Sequence, residues 1–146
     1  MSQQVKVYRE LNLRDNAVIT TNKDMVIVDD ELVSRRTQTA KTATATLTAA
    51  NVITGIIDGT PTAAATYTLP TAADLVAGIA NCKVGSSFFL VVNNKSTGAN
   101  TITVAAGSGG TGDGTLTVAQ NVIRAFLIII TNVTASSEAY YIYGIE

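Results

Sequence analysis

The chain has 146 residues, of which 47% are hydrophobic and 14% charged, with a formal net charge of −1 at pH 7 and a pI near 5.3. This composition supports one domain with a hydrophobic core and gives no reason to expect binding to nucleic acid or to an anionic membrane. Histidine is absent and Cys82 is the single cysteine, which excludes the commonest zinc ligand sets and any intrachain disulfide.

The chain shows no targeting or membrane signal. Its N-terminus lacks the apolar core of a secretory signal peptide. Its longest apolar run, from Ala125 to Ile130, has six residues, whereas a membrane helix needs about 20. We therefore expect a soluble protein that is made in a cytoplasm-like compartment.

Charged side chains are concentrated near the N-terminus. Residues 1–41 hold seven of the ten basic and six of the eleven acidic residues. The composition changes over residues 35–41, which are predicted to form a linker, so the chain is divided into a charged arm (residues 1–42) and a folded domain (residues 43–146). The arm contains three short alternating stretches, Val5–Tyr8, Ala17–Thr20 and Met25–Val28. They indicate either an extended arm or small hairpin, or a solvated edge of the following domain.

From Lys41 onward the sequence predicts short strands separated by turns. Threonine, with 22 copies in the chain, favours strands over helices. Asp58–Pro61 is a turn signal, 93–100 is predicted to be a hairpin loop, and Gly107–Gly114 to be an exposed glycine-rich loop. The predicted strands are 42–48, 52–57, 66–69, 88–92, 101–104, 115–118, 122–131 and 139–143. Their alternation predicts an all-β fold, an antiparallel β-sandwich or jelly roll.

One short helix is predicted between residues 71 and 80. Thr71 is a candidate N-cap, and Asp74 lies in the first turn, where the helix dipole favours a negative charge. Leu75, Val76 and Ile79 form one apolar stripe. After this helix, the continuous apolar run Phe88–Val92 is predicted to be a strand buried on both sides.

Residues that could carry chemistry are few, and we predict no enzyme, catalytic residue, cofactor or metal. Cys82 has no histidine to activate it and is interpreted as a structural thiol. In the glycine-rich loop, Asp113 stands where a phosphate-binding loop needs lysine. Tyr140, Tyr141 and Tyr143 could line a sugar site, although strand packing is the preferred interpretation, with Tyr141 facing away from its neighbours.

Four motifs stand out within residues 43–146: Leu69–Val76, Val84–Phe88, Asn100–Gly107 and Thr131–Tyr143. They resemble a β-rich module of tailed-phage virion proteins. The resemblance is to capsid decoration (cement) proteins and to head or tail fibre modules. It implies a trimeric structural protein without catalytic residues, located on the outer surface of the capsid, with the major capsid protein and other copies of itself as partners.

The predicted function is therefore a capsid decoration protein that stabilises the lattice. The alternatives are a receptor-binding or carbohydrate-binding fibre module and, last, an enzyme. The arm, outside the resemblance, is expected to reach a neighbouring subunit or the capsid by strand addition and ionic contacts. The candidate binding residues are Val5, Lys6, Val7, Tyr8, Arg9, Arg14, Lys23, Arg35 and Arg36.

Overall fold

The computed structural model describes residues 36–145, in which strands predominate and two helices are short. Most of the predicted arm, including its three strand-like stretches, lies outside the described residues. In spatial order, the larger sheet contains β1 (Thr37–Lys41), β3 (Gly55–Gly59), β5 (Ser87–Asn94), β9 (Ile123–Asn132), β10 (Ala139–Ile145) and β7 (Gly110–Asp113). The smaller sheet contains β2 (Ala45–Thr46), β4 (Ala65–Thr68), β6 (Ile102–Ala105) and β8 (Thr117–Val118). The helices are α1 (Ala49–Ile53) and α2 (Ala72–Gly78).

The β-rich class is confirmed, but the prediction of purely antiparallel pairing is wrong. From β1 to β6 the chain alternates between the two sheets, so successive strands of one sheet point the same way. Parallel pairs are β1–β3, β3–β5, β2–β4, β4–β6 and β10–β7, whereas β5–β9, β9–β10 and β6–β8 are antiparallel. Alternating side chains specify a half-buried strand but not the direction of its neighbour, because both ladders have a side-chain period of two.

The predicted linker is partly a strand. Thr37–Lys41 forms β1, an edge strand that pairs in parallel with β3 from Thr37 opposite Gly55 to Lys41 opposite Gly59. The pairing begins with the Thr37 amide, which donates to the carbonyl of Thr54 over 2.8 Å. The polar composition of this segment led to the prediction of a linker. An edge strand can have the same composition, because most of its side chains can remain exposed.

Of the two helices, only α2 was predicted. Thr71 is its N-cap, with its hydroxyl oxygen accepting from the Asp74 amide over 3.1 Å, as expected. The second helix, α1, begins after the predicted strand 42–48 and replaces the first two residues of the predicted strand 52–57. Thr48 caps it reciprocally with Asn51, a capping box that outweighs the strand preference of the surrounding threonines.

Two predicted loops also have a different role. The glycine-rich segment Gly107–Gly114 contains β7, which pairs in parallel with β10 through its backbone. Gly107 itself must be glycine, since a Cβ there would lie 2.3 Å from the Leu69 carbonyl oxygen. Residues 95–101 do not close a hairpin, because they connect β5 of the larger sheet to β6 of the smaller one. The predicted turn at Asp58–Pro61 starts later, since β3 continues to Gly59.

One buried cluster contains side chains from both sheets and both helices. Phe126, Ile128 and Ile130 supply the inner side of β9 and are fully buried. Tyr140 is also buried, and its hydroxyl donates to the Pro70 carbonyl over 3.0 Å and accepts from the Gly107 amide over 2.8 Å. Tyr140 therefore joins β10 to the segments that begin α2 and follow β6. Cys82 packs half-buried at the margin of this cluster, in agreement with a structural thiol.

Candidate interaction surfaces

The larger sheet is apolar on the side that faces away from the core as well as on its inner side. Register and alternation place the outward residues of β3, β5, β9 and β10 on one surface. We call this surface the outer face. Its apolar members are Ile56, Phe89, Val91, Ile123, Ala125, Leu127, Ile129, Tyr141, Tyr143 and Ile145.

Four of these side chains are substantially exposed: Ile123 by 66%, Phe89 by 44%, Ile145 by 43% and Tyr141 by 39%. Together these fractions correspond to about two whole side chains, or about 300–500 Å² if each large side chain contributes about 150–250 Å². The largest apolar patch on a typical monomer covers about 300–600 Å² and is often functional. The half-buried members add to this area, which makes the outer face the main candidate for an interaction surface.

The prediction that Phe88–Val92 is buried on both sides is therefore wrong for one of the two sides. Leu90 and Val92 enter the core, whereas Phe89 and Val91 lie on the outer face. The continuous apolar run marks a strand with two apolar faces, of which the structure buries one.

The C-terminal tyrosines divide between the two sides of β10. Tyr140 faces the core, while Tyr141 and Tyr143 stack on each other on the outer face, with ring centroids 5.9 Å apart and an interplanar angle of 21°. The expectation that Tyr141 faces away from its neighbours thus holds for Tyr140 and not for Tyr143. In the adjacent edge strand β7, Thr111 lies opposite Tyr141 and Asp113 opposite Tyr143.

A polar cluster forms one end of the outer face. The Asp58 carboxylate accepts from the amide of Gln38, from Asn93 Nδ2 over 3.1 Å and from Lys95 Nζ over 2.8 Å. The Lys95 hydrogen bond is the largest influence and, with the Gln38 and Asn93 bonds and the lysine charge, holds the pKa of Asp58 below its ordinary value of 3.8, against the opposing effect of burial. Because Asp58 belongs to β3 and its donors to β1 and to the end of β5, these hydrogen bonds connect the three strands.

Of the candidate binding residues, only Arg36 falls within the described part of the chain. It is exposed, and its Nη1 donates to the Phe89 carbonyl over 2.8 Å, so it contacts the backbone of β5 beside the outer face. The other candidates lie outside the described residues: Val5, Lys6, Val7, Tyr8, Arg9, Arg14, Lys23 and Arg35.

A groove lies at the other sheet, where three parallel strands end. Residues that follow β2, β4 and β6 line a cavity of about 550 Å³ together with α1 and α2. An adjoining cavity of about 210 Å³ shares Thr71 and Ser108 with it and includes Glu138. We refer to the two cavities together as the α2 groove. Sequence reasoning missed it because its lining is contributed by four separate segments, within residues 46–49, 68–77, 107–109 and 136–138.

The searches against known proteins gave no match: no family model, no curated protein and no solved structure resembles this chain at a significant level. Within residues 36–145, no helix combines the length and the apolar character that crossing a membrane requires.

A sequence signal for the outer face does exist. In β9, the residues at positions 123, 125, 127 and 129 are as apolar as those at 126, 128 and 130. A strand with one solvated face alternates apolar and polar residues, so apolar residues at both odd and even positions indicate a strand with two apolar faces.

Proposed function

We propose that the protein is a structural component of a virus particle, a capsid decoration protein whose copies associate through the outer face. The observation that carries the proposal is the exposed apolar surface across β3, β5, β9 and β10. The motifs that resemble phage virion modules support the location on a capsid. In this proposal the two sheets pack as a sandwich, and the assembled form is a homotrimer.

The area of the outer face is adequate for association of modest strength. Burying about 400 Å² of apolar surface contributes about 10 kcal/mol at about 25 cal/mol per Å². Lost translational and rotational freedom costs about 4–15 kcal/mol. The outer face alone is therefore near the threshold of stable association, and the arm is proposed to provide additional contacts.

Two exposed residues give a matched test of the outer face. Ile123 on β9 is 66% exposed and Val84, in the turn before β5, is 64% exposed. Ile123→Lys would place a charge in the interface, where desolvation is costly, whereas Val84→Lys would leave the interface apolar. Sedimentation equilibrium should show a trimer of 15.2 kDa subunits for the wild-type chain and Val84→Lys, and at least tenfold weaker association for Ile123→Lys. Equal association of both variants, or a monomeric wild-type chain at micromolar concentration, contradicts this use of the outer face.

The arm is proposed to bind the capsid. Deletion of residues 1–36 ends one residue before β1, so all the strands described here are retained. The truncated protein should keep its thermal transition but fail to decorate particles, and salt should weaken the binding of the full-length chain because its charged contacts are screened. Undiminished decoration by the truncated protein would show that the arm is dispensable.

A second candidate function, glycan binding, is favoured by one observation. The exposed Tyr141 stacks on the half-buried Tyr143, and the adjacent strand places a hydroxyl and a carboxylate, those of Thr111 and Asp113, beside this pair. Aromatic surfaces pack on sugar rings, and carboxylates accept hydrogen bonds from sugar hydroxyls. Binding to an array of bacterial surface glycans that Tyr141→Ala abolishes and Tyr141→Phe retains would support this function. An array without hits, combined with weaker trimerisation of Tyr141→Ala, would assign the pair to the subunit interface.

A further inference from the structure

The α2 groove combines an apolar floor with negative charge. Leu47, Leu69 and Pro70 form much of the floor of its larger cavity, and the first two are almost completely buried. Asp74 lies at the margin of this cavity, and Glu138 lines the smaller one. These carboxylates are the charged groups of the groove, since none of the five basic residues in the described range lines either cavity.

The geometry of the groove follows from the parallel strands. Because β2, β4 and β6 run in the same direction, the segments that follow them meet at one end of the smaller sheet. Gly107 lets the segment after β6 approach the one after β4 closely, since any Cβ there would collide with the carbonyl oxygens of Leu69 and Pro70. The buried Tyr140 hydroxyl bonds to both segments. These contacts make the groove a fixed part of the fold.

From this arrangement we propose that the α2 groove binds a lysine- or arginine-bearing segment of a partner protein. A basic side chain has an aliphatic stem that packs on apolar surface and a cationic end that remains near carboxylates. An anionic ligand would be repelled by Asp74 and Glu138, and a purely apolar ligand would leave both charges without a counterion. The larger cavity, about 550 Å³, lies within the about 300–1,000 Å³ of typical binding clefts.

This site is separate from the outer face, so its test is independent of the proposed function. The probes are three tripeptides with blocked ends, Leu-Lys-Leu, Leu-norleucine-Leu and Leu-Glu-Leu, titrated into the full-length protein and followed by amide chemical shifts. The lysine peptide should perturb Thr71 and Ser108, norleucine should bind about threefold to tenfold more weakly, and the glutamate peptide weakest. An ion pair at a solvent-accessible carboxylate contributes little to affinity, so only such a modest factor is expected.

Variants test whether the carboxylates and the larger cavity of the α2 groove are responsible for binding the peptides. The double variant Asp74→Asn, Glu138→Gln should reduce affinity for the lysine peptide to that for norleucine, while Asp113→Asn, an acid on β7 outside the groove, should leave it unchanged. Asp74→Asn retains an oxygen that can accept from the Thr71 hydroxyl, which keeps the start of α2 intact. Ala77→Leu, which narrows the larger cavity, should weaken both the lysine and the norleucine peptides. Equal affinity for all three peptides, no shift on titration, or equal losses in the double variant and Asp113→Asn would overturn the proposal.

Discussion

Removal of one buried hydroxyl should destabilise the protein measurably. Tyr140→Phe keeps the ring in the core but leaves the Pro70 carbonyl without its donor and the Gly107 amide without its acceptor. A buried polar group that loses its partner costs about 1–3 kcal/mol, so the two together should lower the free energy of unfolding by about 2–6 kcal/mol. For a folded unit of this size, each kcal/mol lowers the melting temperature by about 4 °C, so the fall should be about 8–24 °C.

Urea unfolding followed by circular dichroism gives this free energy directly. The matched control is Tyr143→Phe, because Tyr143 is only half-buried and stacks on Tyr141. This substitution should change the free energy of unfolding by no more than about 0.5 kcal/mol. The pH dependence gives a second check. Burial raises the pKa of Tyr140, so its contribution is fully present below the unfolded pKa of about 10 and is lost as the pH rises through the higher folded pKa. The phenylalanine variant should show a shallower alkaline loss. A change below about 0.5 kcal/mol in Tyr140→Phe would refute the reasoning.

Three further substitutions test other contacts. Asp58→Asn should lower stability at pH 7, and in urea titrations its difference from the wild-type chain should become smaller at pH 3, because a lowered folded pKa contributes stability above the unfolded pKa that is lost as the pH falls through the folded one. Gly107→Ala should cost about 1–3 kcal/mol or prevent folding, since its Cβ would lie 2.3 Å from the Leu69 oxygen, whereas Gly98→Ala should be tolerated better because a movable side chain is its nearest neighbour. Thr48→Ala should lower the melting temperature by an amount equivalent to about 1 kcal/mol, and no change would show that the α1 cap contributes nothing.

Elements with strong local signals were predicted correctly from the sequence. α2 begins at its predicted N-cap, Thr71, and the strands β9 and β10 lie within a residue or two of their predicted bounds. Each of these elements has its apolar residues and boundary signals within a short window, which sequence patterns capture.

Elements that depend on distant partners were missed. β1 and β7 contain mainly small or polar residues and exist because β3 and β10 offer them backbone hydrogen bonds. The direction of pairing, the α2 groove and the Asp58 cluster likewise depend on residues brought together from separate segments, for which propensity gives no signal.

The outer face was predicted only in part. Its apolar residues are visible in β5 and β9, but the sequence indicated only that both sides of a strand should be covered, which led to a prediction of burial within one chain. Phe89 is 44% exposed, so the described residues leave the second side of β5 open. Apolar residues on both sides of a strand therefore do not distinguish a deep core from a surface that binds a partner.

The alternation of the chain between its two sheets also has a kinetic consequence. β9 and β10 are joined by residues 133–138 and pair locally, whereas Ile56 must find Val91 across 35 positions of the chain. Pairs distant in sequence form slowly, because the entropy of closing the intervening loop is lost before the contact stabilises it. In pulsed hydrogen exchange during refolding, the amides that pair β9 with β10 should be protected before those that pair β3 with β5. During that interval the apolar side chains of β5 and β9 are available to other nascent chains, so the yield of refolding should fall as protein concentration rises.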